Sequence, residues 1–281
     1  AAVLNAVRQL TEASQKQVPT IVVACTVNEE HGFTGATELA KLWNHGATSD
    51  FLGKKPDACI VTEPTELQVI TRHKGVVRWR CHTAGKAAHS SQTTGAENAI
   101  YRMGHVLRRL EHYAQQVLPQ FGEDTLCGQA TLSVGTITGG ISVNTIPDRC
   151  TIEIDRRLLP TEFPEVAYTH AIDYLETLKN EGIELDNDLP MLSSPGLSDD
   201  QNRPLADFLL KATQNVDAAH AIQGAPYGTN AGILAASGLP VVVFGPGSIE
   251  QAHTEDEWID TGQLKTASEI LFNLATSQWP L

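Results

Sequence analysis

"TIVVACTVNEEHGFTGATELAKLW", residues 20–43, runs from β-branched apolar residues through a turn with two adjacent acids into an amphipathic stretch. Strand, turn and helix in that order predict an α/β fold, with "TIVVACTV" as a buried strand and "TGATELAKLW" as the following helix. The pattern continues on both sides. Residues 1–12 have helical periodicity with Val3, Val7 and Leu10 on one face, and "DACIVTEP" (57–64) and "LQVITRH" (67–73) read as further strands. Together they predict a doubly wound, mostly parallel sheet.

The character changes after His73. "VVRWRCHTAG" (76–85) alternates apolar and polar residues, and a helix follows with Ile100, Met103, Leu107, Leu110, Ala114 and Val117 on one stripe. Strands "ATLSVGTI" and "RCTIEIDRRL", a helix over 166–179 and a short strand "GIELDN" complete the order βαββαβ. That order predicts an inserted ferredoxin-like α+β domain. After "DLPMLSSPG", read as a turn-rich linker, the α/β pattern resumes. It has a helix at 203–216, a buried strand "LPVVVFGPG", and a last helix carrying Leu264, Ala267, Ile270, Leu271 and Leu274. The expected division is a discontinuous α/β domain, 1–73 with 188–281, interrupted by a second domain, 74–187.

The 281 residues carry a net charge of −13 with no basic block, which argues against nucleic acid as a partner. No run approaches the ~20 apolar residues of a membrane-spanning helix, so no membrane association is expected. Five cysteines, odd in number and without CxxC spacing, read as reduced core thiols of a cytoplasmic protein. The chain opens on "AAVLNAVRQL" without an initiator Met. A preceding segment is therefore expected, and a leader peptide is not judged.

Glu29 and Glu30 follow the carboxyl end of a strand, where ligands bind in open α/β sheets. An arbitrary acid pair is ordinarily solvated, but here the strand is apolar and Gly32 and Gly35 permit close backbone approach. Glu63, in "VTEPTEL", ends a second buried strand, and His253, in "FGPGSIEQAHTEDEWID", follows a third. Singly each is weak. Together, carboxylates and an imidazole at one sheet edge suit zinc, manganese or cobalt. The adjacent acids then divide the work, one binding metal while the other takes a proton from metal-bound water.

Other residues keep two readings. His89, among the small residues of "HTAGKAAHSSQTTGAENA", marks either a turn with Ser90, Ser91 or Thr94 as cap, or a place that something approaches closely. Asn144 in "GTITGGISVNTIPDRC" serves as a turn residue or more, and Arg156 and Arg157 in "IDRRLLP" are surface charges or a carboxylate fork. The Gly228, Thr229, Asn230 turn of "APYGTNAGIL" binds a carboxylate or caps a helix. "GPGS" lacks the lysine of a P-loop and the spacing of a dinucleotide fingerprint, and no GxSxG elbow accompanies the serines.

As a set, "TVNEEHGFTGA", "VTEPTEL", "GKAAHSS", "GGISVNTIPDRC", "IDRRLLP", "YGTNAGIL" and "GPGSIEQAHTEDEWI" resemble one family in order and approximate spacing across nearly the whole chain. It comprises the di-zinc aminoacylases, acetylornithine deacetylases, succinyl-diaminopimelate desuccinylases and glutamate carboxypeptidases. The resemblance implies a metallo-amidohydrolase that frees an amino acid from a small N-acyl amino acid or dipeptide-like substrate. It implies two divalent metals, zinc first, with cobalt or manganese as alternatives. By matching motif, Glu29 is the general base, Glu30 and Glu63 bind different metals, and His253 joins Glu30 on one. His89 would reach the neighbouring subunit's site to stabilise the oxyanion, so the inserted domain would act as dimerisation lid of a homodimer. Asn144 and Arg157 would engage substrate, with Gly228 and Thr229 as the carboxylate-binding turn. The family spacing of Asp, any residue, Arg selects Arg157 over Arg156.

The chain's main departure from the family lies upstream. The His, any residue, Asp motif and the later bridging Asp, which relatives carry upstream of the helix that "AAVLNAVRQL" resembles, are absent from these 281 residues. One metal is left with Glu30 and His253, the other with Glu63 alone. The expectation is that this chain as given binds metal weakly, without full occupancy, and does not hydrolyse N-acyl amino acids. The alternative is a catalytically silent binding or dimerisation protein that keeps the fold. Asn230 stands where relatives commonly have Asp, which leaves substrate choice open.

Overall fold

The computed structural model describes residues 1–13, 19–44, 54–217 and 219–277. They form two compact units, Ala1–His73 with Leu197–Leu281, and Lys74–Gly196.

In the first unit a four-stranded sheet has the order Cys59–Val61, Val241–Val243, Val69–His73, Ile222–Ala225. Its two outer pairings are parallel and the central one is a single antiparallel pair, Val243 with Ile70. Successive residues of the middle strand face opposite layers. Val242 packs with helices Ala2–Glu12, Arg203–Gln214 and Thr261–Thr276, whereas Val241 and Val243 pack with Thr34–Asn44 and Asn230–Ala236. A strand covered on both faces needs apolar residues at every position, which explains the unbroken "VVVF" run.

The expected strand "TIVVACTV" does not form. Ile21, Val22, Val23 and Val27 are between 37% and 70% exposed, and among the described residues no strand pairs with them. β-branched residues favour an extended backbone, but a strand exists only where a neighbour completes its hydrogen bonds. Cys25 in this run is exposed, Cys59 is half-buried, and Cys81, Cys127 and Cys150 are buried; all five thiols are free. The strand Ile222–Ala225 was not expected, being too short to show a period of its own, whereas the helix Asn230–Ala236 follows the capping reading of the Gly228, Thr229, Asn230 turn.

The second unit has the order Leu185–Asn187, Gly75–Ala84, Arg149–Leu158, Thr131–Gly139, with every neighbour antiparallel. Helices Ala99–His112 and Pro164–Glu176 pack on one face, over Trp79, Cys81, Ile152 and Ile154. The opposite face is a polar ladder that includes Arg78 on Asp155 (2.7 Å) and Arg80 on Glu153 (2.8 Å). The linker reading of 188–196 is corrected: Leu192–Ser194 is a strand pairing with Val76–Arg78, so the unit closes at Gly196 rather than at 187. The first helix buries Ala99, Met103, Val106 and Leu110 and leaves Ile100 partly exposed, a face turned by one residue from the expected stripe. Beyond His112 the backbone widens into a π-turn, Tyr113–Val117, which breaks the 3.6-residue period through Ala114 and Val117.

Candidate active site

The strands Cys59–Val61 and Val241–Val243 run parallel and in register, so their carboxyl ends leave the sheet together. Their exits remain locked. Thr65 N donates to the Gly245 carbonyl (3.3 Å), and Gly245 N donates to Thr65 Oγ1 (3.1 Å). A Cβ at 245 would lie 2.5 Å from the Glu63 carbonyl oxygen, so only glycine allows this approach. Glu63 and the loop carrying His253 therefore begin at one sheet edge.

Glu29 and Glu30 arrive from a third segment. Asn28 and Phe33, both left-handed, bracket the single turn Glu29–Gly32. Gly35 N donates to the Val27 carbonyl (3.1 Å), and a Cβ at 35 would lie 2.5 Å from Val27 N. The result is a contact of 3.1 Å between His253 Nε2 and Glu30 Oε1. Burial raises the Glu29 carboxyl pKa, with the Glu30 charge adding to the effect. Burial and then the charges of Glu29 and Glu30 push Glu63 up to about 7. Hydrogen bonding to Glu30, and then its charge, raises the His253 pKa. The structure thus gathers Glu29, Glu30, Glu63 and His253 into one electrostatic cluster. Three acids around one imidazole carry surplus negative charge, which protons or a cation must balance.

Sequence reasoning missed Tyr227. Its hydroxyl donates to the Pro64 carbonyl (3.5 Å), and burial, then the Glu63 charge, pushes its pKa to about 12. Its place beside the Gly228 turn was visible, but no periodicity aims a tyrosine at an acid. Gly228 is half-buried and Thr229 buried. The Thr229 hydroxyl accepts from Ala231 N (3.0 Å) at the start of helix Asn230–Ala236 and lies 3.1 Å from Nε2 of the buried His73. It caps the helix and meets a histidine that the sequence reading did not single out.

The remaining expected residues belong to the second unit. His89 and Thr145 face each other across a two-residue ladder, and Ser90 N donates to the Asn144 carbonyl (2.9 Å), so His89 and Asn144 are neighbours. Both are exposed; His89 Nδ1 lies 2.8 Å from Ser91 Oγ, and the Ser142 hydroxyl donates to the Asn144 side chain. The two arginines separate. Arg156, 1% exposed, is held by Glu162 (2.6 Å), whereas Arg157 lies on the opposite, half-exposed face, bonded to Asp155 (2.7 Å).

Among the described residues, no group of three or more His, Cys, Asp or Glu side chains could hold a metal ion. Glu30 and His253 supply two donors and hydrogen-bond each other, whereas zinc takes three or four protein ligands. The described residues do not fit a complete metal centre.

Carboxylates and an imidazole gathered in a mixed α/β fold are donor types that suit divalent metals. The family model of peptidase family M20/M25/M40 matches residues 1–277, and the chain belongs to that family. It is 31% identical over 268 residues to an acetylornithine deacetylase of Myxococcus xanthus, covering 92% of this chain and 65% of that protein. It is also 31% identical over 216 residues to a putative succinyl-diaminopimelate desuccinylase of Mycobacterium tuberculosis, covering 76% and 57%. The chain thus spans under two thirds of the length of these curated relatives. Among solved structures, a Staphylococcus aureus tripeptidase matches with TM-score 0.73 at 22% identity, over 98% of this chain and 68% of that one. A Bacillus subtilis protein described as a dinuclear metal-binding peptidase of the M20 family matches with TM-score 0.67 at 17% identity, over 98% and 69%. These two likenesses show the fold.

Proposed function

We propose that this chain carries part of the active site of a metal-dependent amide hydrolase releasing an amino acid from an N-acyl amino acid, of the acetylornithine deacetylase or succinyl-diaminopimelate desuccinylase type. The observation that carries the reading is the cluster of Glu29, Glu30, Glu63 and His253, with Glu30 and His253 in contact at 3.1 Å. Glu29 is the proton shuttle, taking a proton from the attacking water and returning it to the leaving amine. Glu30 with His253, and Glu63 separately, are the donors offered to two divalent metals, zinc first. Two donors and one are too few to hold zinc, so the chain alone binds metal weakly and does not hydrolyse N-acyl amino acids.

In the second unit His89 is the oxyanion donor to a partner subunit, Asn144 and Arg157 engage the substrate, and Gly228 and Thr229 in the first unit receive its carboxylate through backbone amides. Homodimerisation through the second unit is supported by Thr131–Gly139, an edge strand with one partner strand among the described residues, which presents an exposed Ile137. Ile141 and Val143 are exposed just beyond it. A cytoplasmic setting belongs to the same reading; no described helix is long and apolar enough to cross a membrane. The shortage of donors supports a second reading, a silent binding or dimerisation protein that keeps the fold.

The test compares the purified chain with the product of its full reading frame on N-acetylornithine, N-succinyl-diaminopimelate and dipeptides, with zinc, cobalt or manganese. Hydrolysis by the full product, lowered about 100-fold or more by Glu29→Gln, is expected. If the full product binds metal but cleaves none of these substrates, the hydrolase reading fails and the silent protein stands.

A further inference from the structure

On the polar sheet face of the second unit, away from its helices, lies a cluster that none of the roles above uses. His82 and Thr151 face each other in register on the two central strands. Thr151 Oγ1 is 2.9 Å from His82 Nδ1, and Asp188 Oδ2 is 3.1 Å from His82 Nε2. Asp188 is fixed by its backbone, since its N–H donates to the Arg80 carbonyl (2.9 Å) and its own carbonyl accepts from the Tyr168 hydroxyl (2.8 Å).

Chemistry assigns the protons. An ionised carboxylate only accepts, so His82 Nε2 carries the hydrogen that bonds Asp188. Nδ1 is then the basic nitrogen and accepts from the Thr151 hydroxyl. Arg149 Nη2, 3.3 Å from the same nitrogen, donates the longer and weaker second contact. A hydroxyl on a base, with the base oriented by a carboxylate, is the arrangement that activates a nucleophile. Thr151 and His82 are half-buried, and Asp188 and Arg149 are exposed, so solvent reaches the cluster. Structural pairing across the ladder would need only one of these bonds; here both ring nitrogens are engaged in the order carboxylate, imidazole, hydroxyl.

We propose that Asp188, His82 and Thr151 form a second, metal-independent acyl-transfer site acting on activated carboxylic esters. Thr151 Oγ bonds to the acyl carbon while its proton passes to His82 Nδ1. The ester C–O bond then breaks, and the leaving alkoxide takes that proton. Acyl-Thr151 and the free alcohol result, and water attacking the acyl-threonine returns the hydroxyl and releases the carboxylic acid. No metal, oxidant or reductant enters.

The experiment treats the whole chain with p-nitrophenyl acetate in excess chelator, follows p-nitrophenolate release, and maps acetyl groups by tandem mass spectrometry. Acetylation of Thr151 is expected. His82→Gln and Thr151→Val should each lower it about 100-fold or more, Asp188→Asn should slow it, and Thr151→Ser should retain it with an unchanged far-UV circular dichroism spectrum. Acetyl confined to lysines and the N-terminus, or Thr151 acetylated equally in His82→Gln, overturns the proposal. The chelator keeps this result separate from the fate of the amide hydrolase reading.

Discussion

His253 Nε2 stands 3.1 Å from Glu30 Oε1, although 223 positions separate the two residues. That contact brings two proposed metal donors together, and among the described residues no group of three or more completes a metal site. In equilibrium dialysis at neutral pH the chain should not retain stoichiometric zinc. The residual affinity should fall in Glu30→Gln and in His253→Ala by at least the ~10–100-fold that loss of an outer-shell partner costs. Stoichiometric zinc together with clear amidase turnover by this chain would refute its incompleteness.

Glu63 gives the metal-free chain a pH signature. Its carboxyl pKa is raised from 4.5 to about 7, so the folded state favours the protonated acid. The stabilisation is fully present below the unfolded value near 4.5 and is lost as pH rises through 7. Glu63→Gln, which cannot ionise, should stabilise the chelated chain at pH ~8 by about 1–3 kcal/mol after discounting for partial exposure. At pH ~5 the variant should differ little, and urea midpoints at the two pH values check both statements.

Arg156 and Arg157 are adjacent but should behave oppositely. Arg156→Ala strips Glu162 of its buried partner and should cost about 3–5 kcal/mol in urea unfolding. Arg157→Ala removes a half-exposed pair and should cost about 1 kcal/mol or less. Equal costs would mean that the two faces of Arg149–Leu158 are not divided as described.

Gly245 keeps two strand exits together. The methyl of Gly245→Ala would meet the Glu63 carbonyl, which is backbone and has no flexible end to swing aside. A loss of about 1–3 kcal/mol is expected from overpacking, with the Glu63 environment disturbed as well. An unchanged urea midpoint would show that the two exits have room to part.

Much of this protein was legible in one dimension because the signals are local. "RCTIEIDRRL" alternates with period two and is a strand over Arg149–Leu158, the same ten residues. Glu29, Glu30, Glu63 and His253 were each legible as residues just beyond apolar runs. What failed depended on neighbours. "TIVVACTV" has strand composition but no strand beside it among the described residues, Leu192–Ser194 sits in turn-like sequence but finds Gly75–Ala84, and the helix after Asn98 buries a face turned by one residue.

The sequence by itself determined the α/β class, the βαββαβ order of the second unit and the residue types available for chemistry, since all follow from periodicity and motif order. Only the tertiary structure decided that His253 meets Glu30, that Tyr227 borders Glu63, that Arg156 is sealed while Arg157 is open, and that Thr151, His82 and Asp188 align. The physical reason is range. Helix and strand patterns repeat within a few residues, whereas a contact across 223 positions depends on which strands pair and where their ends leave the sheet.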